Sequence, residues 1–483
     1  MQTRVAIVGS GFGGLGTAIR LKQEGLSDFV ILERAGDVGG TWRDNSYPGC
    51  ACDVESHFYS LSFAPNPDWS DRYSRQPEIW RYLQRLADDG GLRGHLRFHQ
   101  EVRGAEWDEG ASLWHLDTAA GRVSASVVVL ASGPLSDPVI PKLPGLDRFE
   151  GRMFHSARWD HGFDLRGRRV AVIGTGASAA QFIPEIQPRV AHLSVFQRTA
   201  PWVMPRADAR IRPWQRRLFR RAPLLQRLLR LGIYVLRESA LLLFRHPWAM
   251  RQAQKVARLH LRRSVRDPAL RARLTPDYTM GCKRIVLSND YYPALTRANV
   301  EVVTTGISEV RARSIVGVGG IERPVDAIIL GTGFRPTDPP LAPRIRGRGG
   351  LTLAEVWAGS PRAHAGTTVS GFPNLFLLLG PNTGIGHTSA VYMIEAQIEH
   401  LVGALRFMRD HGANAVEPRP EAQDAYVSAV DHRSQGTVWT AGGCQSWYLD
   451  RTGRNSAVWP DFTWKYRRRT ARFRAEEYFT GQG

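Results

Sequence analysis

The hydrophobic positions at the start of the chain predict a strand, a helix and a second strand. Residues 5–8 form a short apolar run, 13–23 repeat apolar positions at helical spacing, and 29–33 are apolar again. The same order returns downstream, where the strand 169–173 is followed by a helical stretch and by the strand 192–197. Strands that alternate with helices at this spacing predict βαβ units and a parallel sheet. The chain is therefore predicted to be an α/β protein with two Rossmann-like units.

The pattern changes between residues 206 and 273, where leucines and arginines mix at helical spacing with almost no strand signal. Strand patterns return near residue 325 and in the apolar run 375–380, which precedes a turn and a helical stretch from about Ser389. The simplest organisation is one nucleotide-binding domain interrupted by a second, which carries a helical insert. The predicted bounds are 1–148 and 335–483 for the first domain, 149–205 and 274–334 for the second, and 206–273 for the insert.

Composition fits a folded protein of more than one domain. The chain has 483 residues, of which 43% are hydrophobic, so it is too long for one ordinary core and too apolar for a disordered chain. Because we find neither a secretory signal nor an apolar run of roughly 18 residues, we expect a cytoplasmic protein without a membrane-spanning helix. The four cysteines are few, which fits a reducing compartment and offers no metal site. We interpret Cys50 and Cys52 as packing residues.

The net charge of +19 is concentrated in the insert. Residues 206–273 contain 19 Lys or Arg and only Asp208, Glu238 and Asp267 as acids, a local charge of +16. Four interpretations stay open. The insert could lie peripherally on an anionic membrane with its leucines towards the lipid, or cover a tunnel for a long apolar or acidic substrate. It could also be a plain solvated helical face, or bind nucleic acid, which no stacking platform or known motif supports.

Gly9, Gly11 and Gly14 form a G-x-G-x-x-G motif between the first strand and the helix. The first glycine permits a tight turn, the second allows close approach to a pyrophosphate, and the third lets the helix pack on the strand. Glu33 ends the second strand, 19 residues after Gly14, where its carboxylate can accept hydrogen bonds from a ribose diol. Since FAD has a free 2′-hydroxyl there, this motif predicts an FAD site.

Gly174, Gly176 and Ala179 repeat the motif with the permitted alanine in third place. The strand that follows ends in Arg198 and Thr199 and not in an acid. A carboxylate there would repel a 2′-phosphate, whereas Arg198 can bind one through two hydrogen bonds. The second motif therefore predicts NADPH.

Two further motifs resemble the signatures of Baeyer–Villiger-type flavoprotein monooxygenases, within the larger flavin-containing monooxygenase group. G-G-x-W-x4-Y-P-G-x3-D fits residues 39–53, and F-x-G-x3-H-x3-W-D fits residues 149–160. The resemblance covers nearly the whole chain except the insert. It implies that the second motif lies on the connection between the domains and controls the cycle without touching the reacting atoms. Its fixed members are Phe149, Gly151, His155, Trp159 and Asp160.

The resemblance also implies the catalytic residues. Lys283 matches a lysine that adds a second cation to the 2′-phosphate beside Arg198, and Arg284 matches the catalytic arginine, oriented by Asp53. A fixed guanidinium suits the chemistry, because it stabilises an anionic C4a-peroxyflavin and the charge that develops on the ketone oxygen. Bound NADP⁺ is expected to shield that species from water.

The predicted reaction inserts one oxygen atom of O2 next to a ketone carbonyl, giving an ester or lactone. One alternative is oxygenation of sulfur, nitrogen or an alkyl chain by the same flavin species, and another is a membrane-associated nucleotide-binding protein without oxygenase activity. The predicted FAD-binding residues are Gly9, Gly11, Phe12, Gly14, Glu33, Gly40, Trp42, Tyr47 and Asp53. The predicted NADP-binding residues are Gly174, Gly176, Ser178, Ala179, Arg198, Thr199 and Lys283.

Three segments near the C-terminus bear on the same site. T-G-F at 332–334 resembles the family's return from the NADP domain to the FAD domain. G-P-N-T-G-x-G-H at 380–387 resembles the flavin-containing monooxygenase branch more than the best-studied cyclic-ketone enzymes, which leaves the substrate class open. The helix that follows could direct its N-terminus at the flavin. The aromatic segment 442–455 is either a cover over the active site or a packed C-terminal closure.

Overall fold

The computed structural model describes residues 1–482. The strands in this part of the chain are β1 Gln2–Val8, β2 Phe29–Leu32, β3 Leu96–Arg97, β4 Val102–Asp108, β5 Leu113–Thr118, β6 Gly121–Leu130, β7 Arg152–His155, β8 Arg169–Ile173, β9 His192–Phe196, β10 Val203–Met204, β11 Val286–Leu287, β12 Val300–Val303, β13 Ile307–Arg311, β14 Ser314–Gly317, β15 Glu322–Pro324, β16 Ala327–Leu330, β17 Ile345–Arg346, β18 Leu375–Leu377, β19 Ala413–Pro418 and β20 Tyr478–Gln482. The α-helices are α1 Phe12–Gln23, α2 Thr41–Asp44, α3 Gln76–Asp89, α4 Ala177–Ile186, α5 Pro213–Arg221, α6 Pro223–Ser239, α7 Leu241–Arg245, α8 Pro247–Ser264, α9 Pro268–Arg273, α10 Tyr291–Leu295, α11 Leu353–Trp357, α12 Ala390–His411, α13 Pro420–Ser434, α14 Val438–Ala441 and α15 Thr463–Thr470.

The larger sheet follows the order β17-β4-β5-β6-β1-β2-β3, with β18 paired to β6. Its strands β2, β1, β6 and β18 run parallel, and Val5, Ala6 and Ile7 are fully buried because both faces of this part are covered. Helix α1 packs on α12, where Gly16 leaves room for Ile398. This sheet brings together strands from both ends of the chain around the first glycine loop.

The second sheet has the order β12-β9-β8-β16-β7, and every pair in it is parallel. Helix α4 crosses between β8 and β9 and packs against α10. Because the two sheets each contain a strand–glycine loop–helix–strand unit, the prediction of two Rossmann-like units is confirmed. The sequence pattern missed the antiparallel strands β4–β6 and β13–β15, which extend or flank the two units.

The insert forms five helices, α5–α9, as the mixed leucine and arginine pattern predicted. Helix α6 turns several polar residues towards the protein and several leucines towards solvent, the reverse of the usual arrangement on a globular protein. Among the described residues, no helix combines the length and the apolar character needed to cross a membrane.

The cysteines behave in two ways. Cys50 and Cys52 are buried free thiols, as predicted for packing residues. Cys282 and Cys444 form a disulfide across 162 residues. The low cysteine count predicts a reducing compartment and gives no sign of this bond. The bond could not be predicted because the spacing of two distant cysteines does not reveal whether they meet in the fold.

Candidate active site

The first glycine loop joins β1 to α1 and fits the roles predicted for its glycines. Gly9 has φ +102°, and a Cβ there would lie 2.9 Å from the carbonyl oxygen of Ala131. A Cβ on Gly14 would lie 1.9 Å from the carbonyl oxygen of Gly9, so only glycine lets α1 approach the loop this closely. Gly40 approaches Gly11 from the other side, backbone against backbone. The loop is thus a tight cradle.

Glu33 follows β2 and is buried beside this loop. Its carboxylate accepts hydrogen bonds from the Ser10 amide (3.0 Å) and hydroxyl (2.6 Å), and it pairs with Arg43 at 3.0 Å. These bonds hold the carboxylate at the end of the strand. Glu33 therefore stands where the sequence predicts the ribose-binding acid.

Two of the three predicted aromatic FAD contacts, Phe12 and Trp42, share one neighbour. Phe12 meets the ring of Tyr59 edge-on, with centroids 5.2 Å apart, and Trp42 does the same at 5.6 Å. The indole nitrogen of Trp42 also donates to the Tyr59 hydroxyl at 3.1 Å. The sequence does not single out Tyr59, because a tyrosine outside any motif has no distinguishing pattern.

Tyr47 and Gly49 lie against the second unit and not in the first glycine loop. The hydroxyl of Tyr47 donates to Gln181 Oε1 in α4 at 3.0 Å, and its ring packs on Phe182. A Cβ on Gly49 would lie 2.6 Å from the carbonyl oxygen of Gln181. The end of the 39–53 motif is therefore a contact between the two nucleotide units, and the predicted FAD contact of Tyr47 stays a prediction.

The second glycine loop joins β8 to α4. Gly174 has φ +109°, and a Cβ there would lie 2.3 Å from the carbonyl oxygen of Gly331. Ala179 is fully buried, and it fits in the third position because its neighbour Gly331 has no side chain. Gly176 is exposed with open space where a Cβ would be, and Ser178 is partly exposed beside it. This surface is accessible to a ligand.

Two cations lie beside the second loop. Arg198 is exposed after β9, and Lys283 packs its ammonium 5.0 Å from the ring centroid of Tyr278. Burial and, after it, the positive charge of Arg198 lower the pKa of Lys283. Since the charge of Arg198 disfavours the charged form of Lys283, an anion bound beside them would favour it. The structure thus brings together the two cations predicted to bind the 2′-phosphate, with Thr199 next to Arg198 in the chain.

Arg284 and Asp53 form an ion pair between the two units. Arg284 Nε and Nη2 donate to Asp53 Oδ2 at 3.0 and 2.7 Å, and Nη1 donates to the carbonyl of Ile385 at 3.1 Å. The charge of Asp53 is the largest cause that raises the pKa of Arg284 above its usual range. The side chains of Arg284 and Asp53 remain 31% and 30% exposed, so the guanidinium stays charged yet accessible.

The segment 442–455 lies next to this pair. Tyr448 is fully buried, and burial raises the pKa of its phenol while the charge of Arg284 lowers it. The Cys282–Cys444 disulfide attaches this segment to the residue that precedes Lys283. The sequence predicts that this segment is either a cover over the site or a packed closure, but it singles out neither Tyr448 nor the disulfide.

The G-P-N-T-G-x-G-H segment places unpaired polar atoms near Arg284, which it contacts through Ile385. Within the described chain, His387 Nδ1 and the Thr388 hydroxyl are buried without a hydrogen-bond partner. Ser389 caps helix α12 by accepting from the Val391 amide at 3.2 Å. Buried polar atoms of this kind require a partner, and a polar ring system bound at this helix N-terminus would provide one.

The motif at 149–160 is built into the second sheet. Gly151 is required, since a Cβ would lie 2.6 Å from the carbonyl of Asp326 and 2.5 Å from the ring of Phe149. Trp159 packs its ring between Phe154 and Phe182 of α4. At the end of the motif, the carboxylate of Asp160 accepts from the Gly162 amide and from the Arg152 guanidinium.

His155 ends β7 and is buried. Its Nδ1 accepts from the Ala157 amide at 3.1 Å, and burial lowers its pKa to about 4. His155 is therefore neutral near pH 7, and its ring lies 5.8 Å from that of Phe334 in the T-G-F turn. The histidine thus contacts the segment through which the chain returns to the first unit.

Comparison with known proteins agrees with this geometry. The sequence profile described as flavin-binding monooxygenase-like matches residues 2–345. A Baeyer–Villiger monooxygenase of Streptomyces coelicolor is 52% identical over 479 residues, covering 99% of this chain and 92% of that protein. A Baeyer–Villiger monooxygenase of Pseudomonas aeruginosa is 50% identical over 478 residues, covering 98% of this chain and 91% of that protein.

Solved structures give the same result. Oxidized steroid monooxygenase bound to NADP superimposes with a TM-score of 0.88 at 32% identity, and 100% of each chain is covered. Cyclohexanone monooxygenase from Rhodococcus sp. Phi1, bound to NADP⁺, gives a TM-score of 0.88 at 29% identity, again over 100% of each chain. The resemblance predicted from the glycine loops and the two signatures is confirmed. The chain belongs to the flavin-binding monooxygenase-like family, among its Baeyer–Villiger monooxygenases.

Proposed function

We propose that the chain is an FAD- and NADPH-dependent monooxygenase that inserts one atom of O2 next to a ketone carbonyl, giving an ester or lactone. The observation that carries the proposal is the Arg284–Asp53 pair, a charged and accessible guanidinium at the contact between the two nucleotide units. The identity to Baeyer–Villiger monooxygenases over nearly the whole chain supports the reaction type.

The first unit fits FAD. Gly9 and Gly14 form a cradle that side chains would fill, and Glu33 is held where a ribose diol would bind. The unpartnered atoms of His387 and Thr388 fit the polar edge of the flavin ring. FAD bound there supplies the redox and oxygen-activating chemistry. Phe12, Trp42 and the backbone of Gly11 and Gly40 complete the proposed contacts.

The second unit fits NADPH. Gly176 and Ser178 leave the N-terminus of α4 open to a pyrophosphate. Arg198 lies close enough to Lys283 to help lower the pKa of that lysine, and a 2′-phosphate between the two cations would be stabilised by both. Thr199 would add a hydroxyl beside Arg198. NADH has no 2′-phosphate, so the pair favours NADPH.

Arg284 is the proposed catalytic residue and Asp53 its positioning residue. The carboxylate keeps the guanidinium protonated and fixes its plane, so that no reorientation is needed when negative charge develops on the substrate's carbonyl oxygen. Tyr448 excludes water from one side of the guanidinium. Lower dielectric strengthens the interaction with the substrate oxygen.

The motif at 149–160 is proposed to couple the domains. We place the domain limits at 148/149 and 334/335, so that β7 enters the second unit and the T-G-F turn leaves it. His155 lies where the chain enters the second unit, and it contacts Phe334, which lies where the chain leaves it. Trp159 packs on α4. The motif thereby links both connections to one helix of the second unit.

The test is product analysis with purified protein. We expect a yellow protein that NADPH reduces much faster than NADH, and an ester or lactone that carries one ¹⁸O atom from ¹⁸O2. The ketone panel begins with cyclohexanone and a steroid ketone, after the names of the structural relatives. A protein that stays colourless after reconstitution with FAD, or one that oxidises sulfides but no ketone in the panel, contradicts the proposal.

A further inference from the structure

Three polar side chains on one side of α6, Gln226, Arg230 and Arg237, are directed into the protein, and Glu238 at the end of the helix is buried as well. Charged and amide groups on a surface helix ordinarily face water, whereas here they attach the helix to the rest of the protein. The hydrogen bonds run from Gln226 Nε2 to the carbonyl of Asn66 (2.7 Å), from Arg230 Nη1 to the carbonyl of Ser60 (2.8 Å), from Arg237 Nε to Glu55 Oε2 (2.9 Å), and from Thr463 Oγ1 to Glu238 Oε2 (2.8 Å).

The opposite side of α6 is a row of exposed apolar side chains. Leu224, Leu228, Leu231 and Val235 follow one another at intervals of three or four residues, which places them on one face. Their exposed fractions are 65%, 53%, 54% and 58%. Leu242 continues the apolar surface into α7, with 51% exposed. Because the polar side is fixed to the protein by its hydrogen bonds, the leucines cannot rotate inward.

The neighbouring helices enlarge this apolar surface. Thirteen of the 24 large apolar side chains exposed in the described residues lie between 213 and 259. Soluble monomers rarely concentrate exposed apolar area in this way unless something binds there. The thirteen, here named the apolar face, are Trp214, Leu218, Leu224, Leu225, Leu228, Leu229, Leu231, Val235, Leu236, Leu242, Trp248, Val256 and Leu259.

Exposed cations surround the apolar face. Arg230 and Arg237 are neutralised by Glu395 and Glu55, but many other basic residues of the insert face solvent. A second copy of the chain would bring the same excess of positive charge against this one, so self-association is electrostatically opposed. The exposed cations beside the apolar face are Arg217, Arg221, Arg227, Arg251, Lys255, Arg262 and Arg263.

We propose that helices α5–α8 dock on an anionic lipid surface. The apolar face enters the boundary between headgroups and acyl chains, the two exposed tryptophans lie at headgroup depth, and the basic side chains contact lipid phosphates. The protein lies on the membrane and does not span it. Such docking also brings lipid close to the active site, because Leu241 and Phe244 of α7 pack in one cluster with Trp439 and Tyr448.

Flotation with lipid vesicles tests the proposal on the full-length protein. We expect binding to vesicles of phosphatidylcholine mixed with phosphatidylglycerol at low salt, and weaker binding at high salt or to phosphatidylcholine alone. The variant Leu224→Gln/Leu228→Gln/Val235→Gln is expected to bind at least about tenfold more weakly. Arg217→Gln/Arg221→Gln/Arg227→Gln is expected to lose at least about tenfold, on anionic vesicles only.

The matched control replaces three apolar residues that are equally exposed elsewhere. Val318, Ile321 and Leu351 are 59%, 60% and 55% exposed, and their joint replacement by Gln should leave vesicle binding unchanged. Both triple Gln variants at apolar positions should keep the wild-type turnover of a water-soluble ketone, which shows that they fold. Absence of binding to anionic vesicles, or equal binding by wild type and the α6 variant, overturns the proposal. So does a dimer in sedimentation velocity, without vesicles, that the α6 variant dissociates.

Discussion

The guanidinium of Arg284 lies against the carboxylate of Asp53, although 231 residues separate them in the chain. Two of its nitrogens donate to one carboxylate oxygen, and a third donates to the carbonyl of Ile385. Three bonds fix both the plane and the direction of the group. The part of the guanidinium that remains accessible is a charged edge at the contact between the two nucleotide units.

We expect Arg284→Ala to bind FAD and to be reduced by NADPH, but to form ester about 10²- to 10³-fold more slowly, because the cation that stabilises the developing oxyanion is lost. Anaerobic flavin bleaching measures the reduction, and chromatography measures the ester. Asp53→Asn should lower kcat for ester formation more than it alters the reduction rate, since it loosens the guanidinium without removing it. Full ketone turnover by Arg284→Ala would show that the assignment is wrong.

Arg198→Ala should raise KM for NADPH about tenfold or more and leave KM for NADH nearly unchanged, because only NADPH loses a charge-assisted hydrogen bond. Steady-state kinetics with both cofactors measures the ratio. Arg189→Ala is the control, since Arg189 is an exposed arginine of the same unit away from the loop. An equal loss with both cofactors would place Arg198 outside the phosphate site.

His155 should contribute to acid lability. Its pKa lies at about 4 in the folded chain and at 6.5 ordinarily, so the unfolded chain takes up the proton first. The contribution of neutral His155 to the free energy of unfolding is therefore complete above about pH 6.5 and is lost as the pH falls towards about 4. About 2 kcal/mol of it is lost by pH 5. Comparison of unfolding at about pH 7.5 and pH 5 should show a smaller loss in His155→Asn.

The effect in His155→Asn should be partial, because burial also lowers the pKa of His57 to about 4 and that of His400 to about 3. Those two histidines continue to destabilise the variant in acid. Identical acid sensitivity of wild type and His155→Asn would mean that the ring is solvated in solution.

Loss of the Cys282–Cys444 bond should destabilise the native chain by about 2–4 kcal/mol, since the bond closes a long loop in the unfolded state. Cys282→Ser, Cys444→Ser and the double variant should show the same fall in Tm, and a reductant should lower only the wild-type value. Peptide mapping without reduction checks the bond directly. Free thiols at both positions in the native protein would contradict it.

Local patterns predicted the parts of the site that are local. Gly9 and Gly174 have positive φ because the turn after a strand requires it, and the motif spacing shows this directly. Glu33 and Arg198 follow strands whose positions the glycine loops predict. Arg284 and Asp53 were paired only through the family resemblance, since nothing in their spacing brings them together.

Other features depend on partners that are distant in sequence. The helical period of α6 defines two faces, but which one meets the protein is decided by residues such as Glu55 and Thr463. Tyr448 lies beside Arg284 only because the C-terminal segment folds back onto the site. A sequence pattern specifies a face or a turn, whereas these contacts need the assembled chain.

The contact of Tyr47 and Gly49 with Gln181 has a mechanical consequence. At Gly49 the backbones of the two nucleotide units touch with no room for a methyl group, and the Tyr47 hydroxyl spans the same joint. Separation of the two units here would break the hydrogen bond and expose packed surface, whereas rotation about this point would keep the hydrogen bond and the packing. A rotation axis through this joint would therefore keep this contact, and points farther from it would travel along wider arcs.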